Sequence, residues 1–318
     1  MRNPFFSIII PTYNQAHFLQ QALKSVFSQT FKNFEVVVID NQSSDNTKNV
    51  VSLFKKVIYK KIDNRGIIAK SRNYGMKIAK GKWFVFLDSD DYWKKDKLLY
   101  IFEKIKKIKK NTFDVICHNE WIIDTSENNK KIEKKLWSYG PYEKDFYKKK
   151  LIWGNRNSTS ASAVKKSFIK ENNIKFDENR SFITSEDYCF FLNIARLGGI
   201  FYYISKPLGY HTMHKKSASA NIKAHKKSKL AVIKYHIFKI QKFENKKNQL
   251  YKLIEKRINV VEAIINLKNN FYKKKYQKTF IKFLIFDCRI TIEHIILFIL
   301  KFLKHVLLKY VYKIKSFN

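Results

Sequence analysis

The stretch FSIIIPTYNQAHFLQQALKSVF, residues 6–27, decides the fold. Phe6 to Ile10 is a short apolar run that stops at Pro11, the pattern of a strand buried on both faces. A polar turn follows, Thr12-Tyr13-Asn14. Ala16 to Phe27 then takes helical spacing, with Phe18, Leu19, Ala22, Leu23 and Val26 on one side. The unit repeats. Phe34 to Ile39 (FEVVVI) predicts a second strand, closed by the polar cluster Asp40 to Asp45, and Asp45-Asn46-Thr47 can cap a helix running to about Lys55. Val57 to Ile62 predicts a weaker third strand, Ala69 to Ala79 a helix broken by Gly81, and Trp83 to Leu87 (WFVFL) a fourth strand. Strand and helix alternating in this order predict an α/β fold, a mainly parallel central sheet with helices on both faces.

Further along, a helix is expected near Lys97–Lys109, a strand near Phe113–Cys117 and a helix near Tyr188–Leu197, with less regular chain at 92–150. From Lys223 the pattern is almost wholly helical and contains neither Gly nor Pro. The expected organisation is a domain over 1–220, with a first half at 1–93 and a second at 94–220, followed by a basic, amphipathic helical extension over 221–318.

In open parallel sheets, ligands bind beyond the carboxyl ends of the strands. Three of the four early strands end there in oxygen-rich residues: Thr12 to Asn14, Asp40 to Asp45, and Asp88 to Asp91. Each alone suits a solvated turn, because Asp, Asn and Ser favour turns and caps. Together they line one rim. The strongest element is WFVFLDSDDYW, residues 83–93. Two carboxylates one residue apart can face a common point, and a hard divalent cation there leaves positions for phosphate and water. Crowded acids also repel one another, which a cation relieves. The same residues equally suit a helix start, with Asp90 or Asp91 as the cap. A second acidic pair, Glu186-Asp187 after Ser185, opens the helix near Tyr188 and could likewise be a cap.

With FSIIIPTYNQAHFLQQALKSVFSQTF, VVVIDNQSSDNT and NRGIIAKSRNYGMKIAKGKWFVFLDSDD in this order, the chain resembles family 2 of the glycosyltransferases, with the GT-A fold. The resemblance covers residues 6–93 and continues more loosely to about 219. It implies an inverting enzyme that uses a nucleotide diphosphate sugar, a UDP-sugar first, with Mn²⁺ or Mg²⁺. It implies that Pro11, Thr12, Tyr13 and Asn14 cradle the nucleotide, with Tyr13 able to stack on a base. Asp40 contacts the base; the family often has a second acid next, and this chain has Asn41. Arg72 matches the base- or phosphate-facing Arg of an A-R-N-x-G-like segment, here Ala69 to Gly75 with one extra residue. Asp88 and Asp90 form the Asp-x-Asp pair, Asp90 as the direct metal ligand and Asp88 nearer the ribose, while Asp91 caps the next helix. Asp187 is the general base, with Glu186 second. Asn157 to Ser162 resembles the acceptor-side segment. Tyr210 to Ser219 resembles Tyr-Arg-x-His with Ser-x-Ser, and the offset to Ser217 and Ser219 selects His214 over His211 for the metal or the diphosphate. An isolated His is often structural.

The implied reaction transfers a sugar to a hydroxyl of a saccharide or lipid-linked acceptor in surface polysaccharide or lipid-linked oligosaccharide synthesis. A neighbouring reading is transfer to a polyprenyl phosphate. A third is a basic protein that binds nucleic acid or membrane without catalysis, against which the intact Asp88, Asp90 and Asp187 weigh.

Composition bears on that third reading. The 318 residues carry 64 Lys and Arg against 26 Asp and Glu, a formal net charge of +38, yet only eight of the basic residues are Arg. Arg is the usual reader of phosphate forks and base edges, so this balance argues against specific nucleic-acid recognition. At 45% hydrophobic residues the chain is also no disordered polyelectrolyte. Residues 215–318 hold 26 basic and five acidic residues, +21 of the total. Within them, residues 281–314 place apolar side chains at helical spacing, interrupted by Asp287, Arg289, Glu293 and Lys301 before a spanning length is reached. That pattern suits an anionic membrane surface or a packed helix. Three scattered cysteines (Cys117, Cys189, Cys288) form no disulfide framework. The opening residues lack an apolar signal segment, so the expectation is a cytoplasmic protein, peripheral on the inner membrane face.

Overall fold

The computed structural model describes residues 3–108, 113–125, 134–140, 146–241 and 247–269. Two compact units divide the chain, residues 1–233 and 234–318. The boundary expected after residue 220 and this one differ by most of one helix, Ile222–Tyr235, whose His225 bonds back to Thr184 in the first unit.

In the first unit, β1 (Phe6–Thr12), α1 (Ala16–Phe27), β2 (Phe34–Asp40), α2 (Thr47–Ser52), β3 (Val57–Lys61), α3 (Ile68–Ile78) and β4 (Trp83–Phe86) follow the alternation read from the sequence. α2 stops short of Lys55. The strands β3-β2-β1-β4 are parallel neighbours. The period-two alternation of the strands sorts their side chains between two cores. Ile8, Ile10, Val36, Val38, Val85 and Leu87 meet Leu19, Leu23 and Val26 of α1 on one face. Ile9, Phe84 and Phe86 meet Ala69 and Met76 of α3 on the other. Each buried aliphatic side chain adds roughly 1.5–3 kcal/mol, which is why these runs carry almost no polar residue.

Beyond β4 the sheet becomes mixed. It continues through β8 (Ser162–Lys165), β6 (Val115–Asp124), β9 (Phe201–Met213) and β5 (Tyr92–Trp93), with β7 (Lys134–Trp137) on β6. β8 runs antiparallel to β4 and β6, while β6 and β9 are parallel. β6 is twice the length expected for its region, and its Cys117, His118, Asn119 and Glu120 are fully buried. The strands β8 and β9 were not expected from the apolar pattern. Lys206, Pro207 and Gly209 interrupt β9, and the register against β6 slips at Asn119.

The remaining helices of this unit are α4 (Lys97–Lys107), α5 (Phe146–Trp153), α6 (Lys166–Glu171), α7 (Glu186–Arg196) and α8 (Ile222–Tyr235). Phe190, Phe191 and Ile194 of α7 complete the second core. Cys117 and Cys189 are buried.

In the second unit, the described chain comprises a π-helical turn, His236–Ile240, and α9 (Lys247–Asn269), with the rings of Phe238 and Tyr251 5.5 Å apart. The amphipathic segment at 281–314 lies outside the described residues. Among the described residues, no helix is long and apolar enough to cross a membrane.

Candidate active site

Parallel pairing places Thr12 beside Asp40, so the ends of β1 and β2 open on one rim. Tyr13 is 57% exposed and Pro11 and Thr12 are buried beneath it. Asn14, in the left-handed region at φ 49°, laces the two loops together. Its N–H donates to Ser43 Oγ at 2.9 Å, and its Oδ1 accepts from Ser44 N–H at 2.8 Å. Asp40 is buried; its Oδ1 accepts from the Ser43 N–H at 3.0 Å and its Oδ2 accepts from the Tyr59 hydroxyl. A base contact at Asp40 would therefore share oxygens that already take protein donors.

At the end of β4, three acids take three environments. Asp88 accepts from Arg72 Nη2 at 2.7 Å and from Thr159 Oγ1 at 2.8 Å, while its N–H donates to Ser160 Oγ at 3.0 Å. Burial raises its carboxyl most, but the Arg72 charge together with the bonds from Arg72 and Thr159 outweighs burial and holds it below the usual range. Asp90 lies 3.0 Å from His214 Nε2. His214 Nδ1 accepts from the Lys216 N–H at 3.2 Å, so in this arrangement Nε2 carries the proton that faces Asp90. The ring of Phe18 stacks on the same imidazole with centroids 4.5 Å apart. Burial first, and then repulsion from Asp91 and Asp88, push the Asp90 carboxyl up against the opposing His214 bond.

Asp91 departs from its expected role. It does not cap the next helix, which starts at Lys97 after Asp96. Instead it is buried and accepts from the Thr212 N–H at 2.8 Å, with His211 Nδ1 at 3.3 Å. The pairing of β5 with β9 turns Asp91 inward, away from α4. Burial lowers the pKa of His211, and the charge and hydrogen bond of Asp91, with the charges of Glu120 and Asp90, reverse this and lift it to about 10. The pair fastens the acidic turn to β9, the strand that leads into His214.

Arg72 of α3 joins the two acidic segments. It is 3% exposed, and it bonds Asp88 through Nη2 and Glu186 through Nη1. Glu186 therefore faces a guanidinium rather than the open rim. Burial raises its carboxyl most, opposed by Arg72. Asp187, half-buried in the first turn of α7, accepts from Asn155 Nδ2 at 2.8 Å. Its carboxyl is raised, chiefly by burial and against the Arg72 charge. Just before the pair, β-branched Thr184 holds φ at 77°, a costly conformation that the His225 contact to its hydroxyl at 3.2 Å helps to fix.

The fold thus links Asp88, Arg72 and Glu186 in one network, with Asp187 adjoining it, and pairs Asp90 with His214. Pro11 to Asn14 and Asp40 form the neighbouring rim. Among the described residues, no three His, Cys, Asp or Glu side chains cluster closely enough to hold a metal by themselves. Asp90 and His214 lie side by side in a patch of acid repulsion, and His214 would offer Nε2 as a donor once its proton moves to Nδ1 in place of the Lys216 bond. That set suits a divalent cation that draws its other ligands from phosphate and water. Reading the sequence missed Asn155 and Tyr59, whose signals are single polar residues in loop or strand. It marked Thr159 and Ser160 only as part of a segment.

Residues 7–172 match the family described as Glycosyl transferase family 2. The chain is 30% identical over 225 residues to an Escherichia coli protein named UDP-Glc:alpha-D-GlcNAc-diphosphoundecaprenol beta-1,3-glucosyltransferase WfaP, covering 68% of this chain and 80% of that protein. It is 39% identical over 118 residues to an uncharacterized glycosyltransferase of Rickettsia conorii, covering 36% of this chain but 19% of the relative. A Rickettsia typhi glycosyltransferase is 33% identical over 127 residues, 40% of each chain. The chain thus spans well under half of these two relatives. Among solved structures, S. aureus TarS 1–349 in complex with UDP-GlcNAc superposes with a TM-score of 0.56 at 23% identity, over 88% of this chain and 79% of that one. A Pyrobaculum calidifontis mannosyltransferase in complex with GDP-Man and Mn²⁺ gives a TM-score of 0.55 at 17% identity, over 80% of this chain and 71% of that one. These structures share the fold. The chain belongs to glycosyl transferase family 2. Its fold is the GT-A fold.

Replacing Arg72 with Met should leave the buried Glu186 and the part-buried Asp88 without their common cation. We expect a loss of about 3–5 kcal/mol of stability. Urea unfolding of the variant checks it; a midpoint within error of the wild type would contradict the bridge.

Proposed function

We propose that this chain is an inverting, metal-dependent glycosyltransferase that moves a sugar from a UDP-sugar to a hydroxyl of a lipid-linked saccharide. The observation that carries the reading is the buried Arg72 bridge, because it ties the acidic turn after β4 to the carboxylates that open α7. Charge for a donor diphosphate and a base for an acceptor then adjoin one another.

The exposed Tyr13 stacks on the base, while Asp40, Pro11, Thr12 and Asn14 shape the nucleotide rim. Asp88, held by Arg72, Thr159 and Ser160, faces the ribose. Asp90 and His214 would hold Mn²⁺ or Mg²⁺, and Asp88 adds negative charge beside it. When bound, the cation neutralises the charge that gathers on the departing diphosphate. Asp187 takes the proton of the acceptor hydroxyl as its oxygen bonds to the anomeric carbon. The bond from that carbon to the diphosphate oxygen breaks in the same displacement, so the configuration inverts. Similarity to the E. coli enzyme whose name specifies UDP-Glc and a diphosphoundecaprenol-linked GlcNAc supports this donor and acceptor class. Transfer to a polyprenyl phosphate itself keeps the same residues in place, and an assay with both acceptors separates the two.

The strongly basic last third favours peripheral attachment to an anionic membrane surface, where such an acceptor resides. The full chain should float with anionic liposomes at low salt and detach as salt rises; flotation equal with neutral vesicles would overturn this attachment.

Asp187→Asn should abolish sugar transfer, by at least about 100-fold, while UDP-sugar binding stays within about twofold. Turnover assays with UDP-glucose and UDP-GlcNAc, and a GlcNAc-diphosphoryl-lipid acceptor, check this. Wild-type turnover in the variant would remove Asp187 from the chemistry. Asp90→Ala should weaken UDP binding in the presence of Mn²⁺ far more than in its absence. Calorimetry that finds equal affinities for variant and wild type with the metal present would count against the metal site.

A further inference from the structure

Lys150 is a fully buried lysine of α5 that no step of the proposed reaction uses. Its Nζ donates to Asn155 Oδ1 at 3.1 Å and to Asn157 Oδ1 at 2.7 Å, two neutral amides rather than a carboxylate. The rings of Phe146, Tyr188 and Phe191 surround it at 5.3–5.6 Å. The far side of the Asn155 amide faces the active site, where its Nδ2 donates to Asp187 Oδ2 at 2.8 Å. The helices that bear these groups are tied as well: the hydroxyl of Tyr188, next to Asp187, donates to the Lys150 carbonyl at 2.6 Å.

We infer that Lys150, acting through the Asn155 amide, is a positioning residue that sets the orientation and the charge of Asp187. This deepens the proposed reaction and rests on Asp187 being its base.

The chemistry of the three groups dictates the arrangement. An ammonium only donates hydrogen bonds, so only the oxygen of the amide can face it. The amide nitrogen is thereby turned to Asp187, and its N–H fixes the rotation of the carboxylate. With Asn155 reversed, two oxygens would meet. A base misplaced by about 1 Å loses on the order of 100-fold in rate, so the rotation matters.

Charge adds a second effect. Asp187 experiences the cations Arg72 and Lys150 and the anion Asp88, with Glu186 adjacent on its own helix. Lys150 in turn experiences Asp187, Cys117, Arg156 and Lys229. Burial pushes the Lys150 ammonium down to about 7, with Asp187 opposing that shift. Protonated Lys150 lowers the pKa of Asp187, so removing it raises that pKa. The acid limb of the rate profile, where the base becomes protonated, then moves to higher pH.

The test compares Lys150→Met, Lys150→Gln, Asn155→Ala, the double variant Lys150→Met/Asn155→Ala and Asp187→Asn in the full chain. Turnover of UDP-glucose and UDP-GlcNAc is followed against pH with Mn²⁺, both to the lipid-diphosphate acceptor and to water. Lys150→Met should lower kcat by about 10- to 100-fold with donor KM and UDP affinity within about twofold, and should shift the acid limb upward. Lys150→Gln keeps an N–H for Asn155 and should recover most of kcat but not the acid limb. The double variant should be no worse than about twofold below the poorer single one, because both act through one contact. Wild-type kcat and acid limb in Lys150→Met, or fully multiplicative losses in the double variant, would overturn the inference. If Lys150→Met fails to fold, Lys150→Gln and Asn155→Ala decide, and a wild-type acid limb in the former with wild-type kcat in the latter would refute it. An active Asp187→Asn would instead sink the base assignment. An inactive one alongside a normal Lys150→Met would sink this inference alone.

Discussion

Two carboxylates, one after β4 and one at the start of α7, lie more than ninety residues apart in the chain, yet they share the guanidinium of Arg72. Placing a cation at 3% exposure is costly unless its charge is answered, and a guanidinium answers two acids at once through its planar fork. The rest of the site follows from that requirement. α3 must lie close enough to β4 to reach Asp88, and Ala69, Met76 and the β-strand aromatics provide that packing. α7 must dock on the same face, which Phe190, Phe191 and Ile194 accomplish. Asp187 then needs no contact of its own to be carried to the cleft, because Glu186 beside it is already anchored.

Adjacent acids in the turn after β4 divide the labour between holding the fold and meeting a ligand. Asp91 is spent internally on Thr212 and His211, and this keeps β9 against the turn. Asp88 is half committed, bonded to Arg72 and Thr159 while part of it remains accessible. Asp90 has a single histidine partner, and repulsion from its two neighbours leaves it the acid with most to gain from a cation. Which of three consecutive-looking acids does which task depends on the partner that reaches it across the sheet. Sequence spacing alone could assign Asp88 and Asp90 through resemblance, but it assigned Asp91 to a helix cap, whereas its partners lie on β9.

The same distinction separates what was legible in the chain from what was not. β1, β2 and β4 are readable because each is built on an apolar run, and α1 because it shows a 3.6 period, while β3, which ends in Lys60 and Lys61, gives the weaker signal. β9 is not, since Lys206 and Gly209 break its pattern and its stability comes from pairing with a β6 that itself buries His118, Asn119 and Glu120. Non-local pairing of polar strands leaves no local signature. Of the site, the acids and Arg72 stood out as motifs, and Arg72 was expected to face the nucleotide. Its observed partners, Asp88 and Glu186, become visible only when α3 and α7 are placed side by side. Asn155 carried no signal because one asparagine after a glycine reads as a turn.

Arginine is scarce here, eight residues among 64 basic ones, and that scarcity shapes the interior. Where a bidentate bridge between two acids is needed, the chain uses Arg72. Where one loop oxygen must be held, it uses lysine. Lys97, fully buried over the Trp93 ring at 3.7 Å, donates to the Ser160 carbonyl at 2.6 Å. Ser160 and its neighbour Thr159 in turn grip Asp88. Lys150 holds Asn155 and Asn157 from the other side. Two buried ammonium groups thus pin the 155–160 segment at both ends, and the burial that pushes each down to about 7 is the cost of fixing loop residues whose amides and hydroxyls reach the acids. A segment with no regular secondary structure gains the rigidity of a core element this way, which a loop that must present both an Asp88 partner and an Asp187 partner requires.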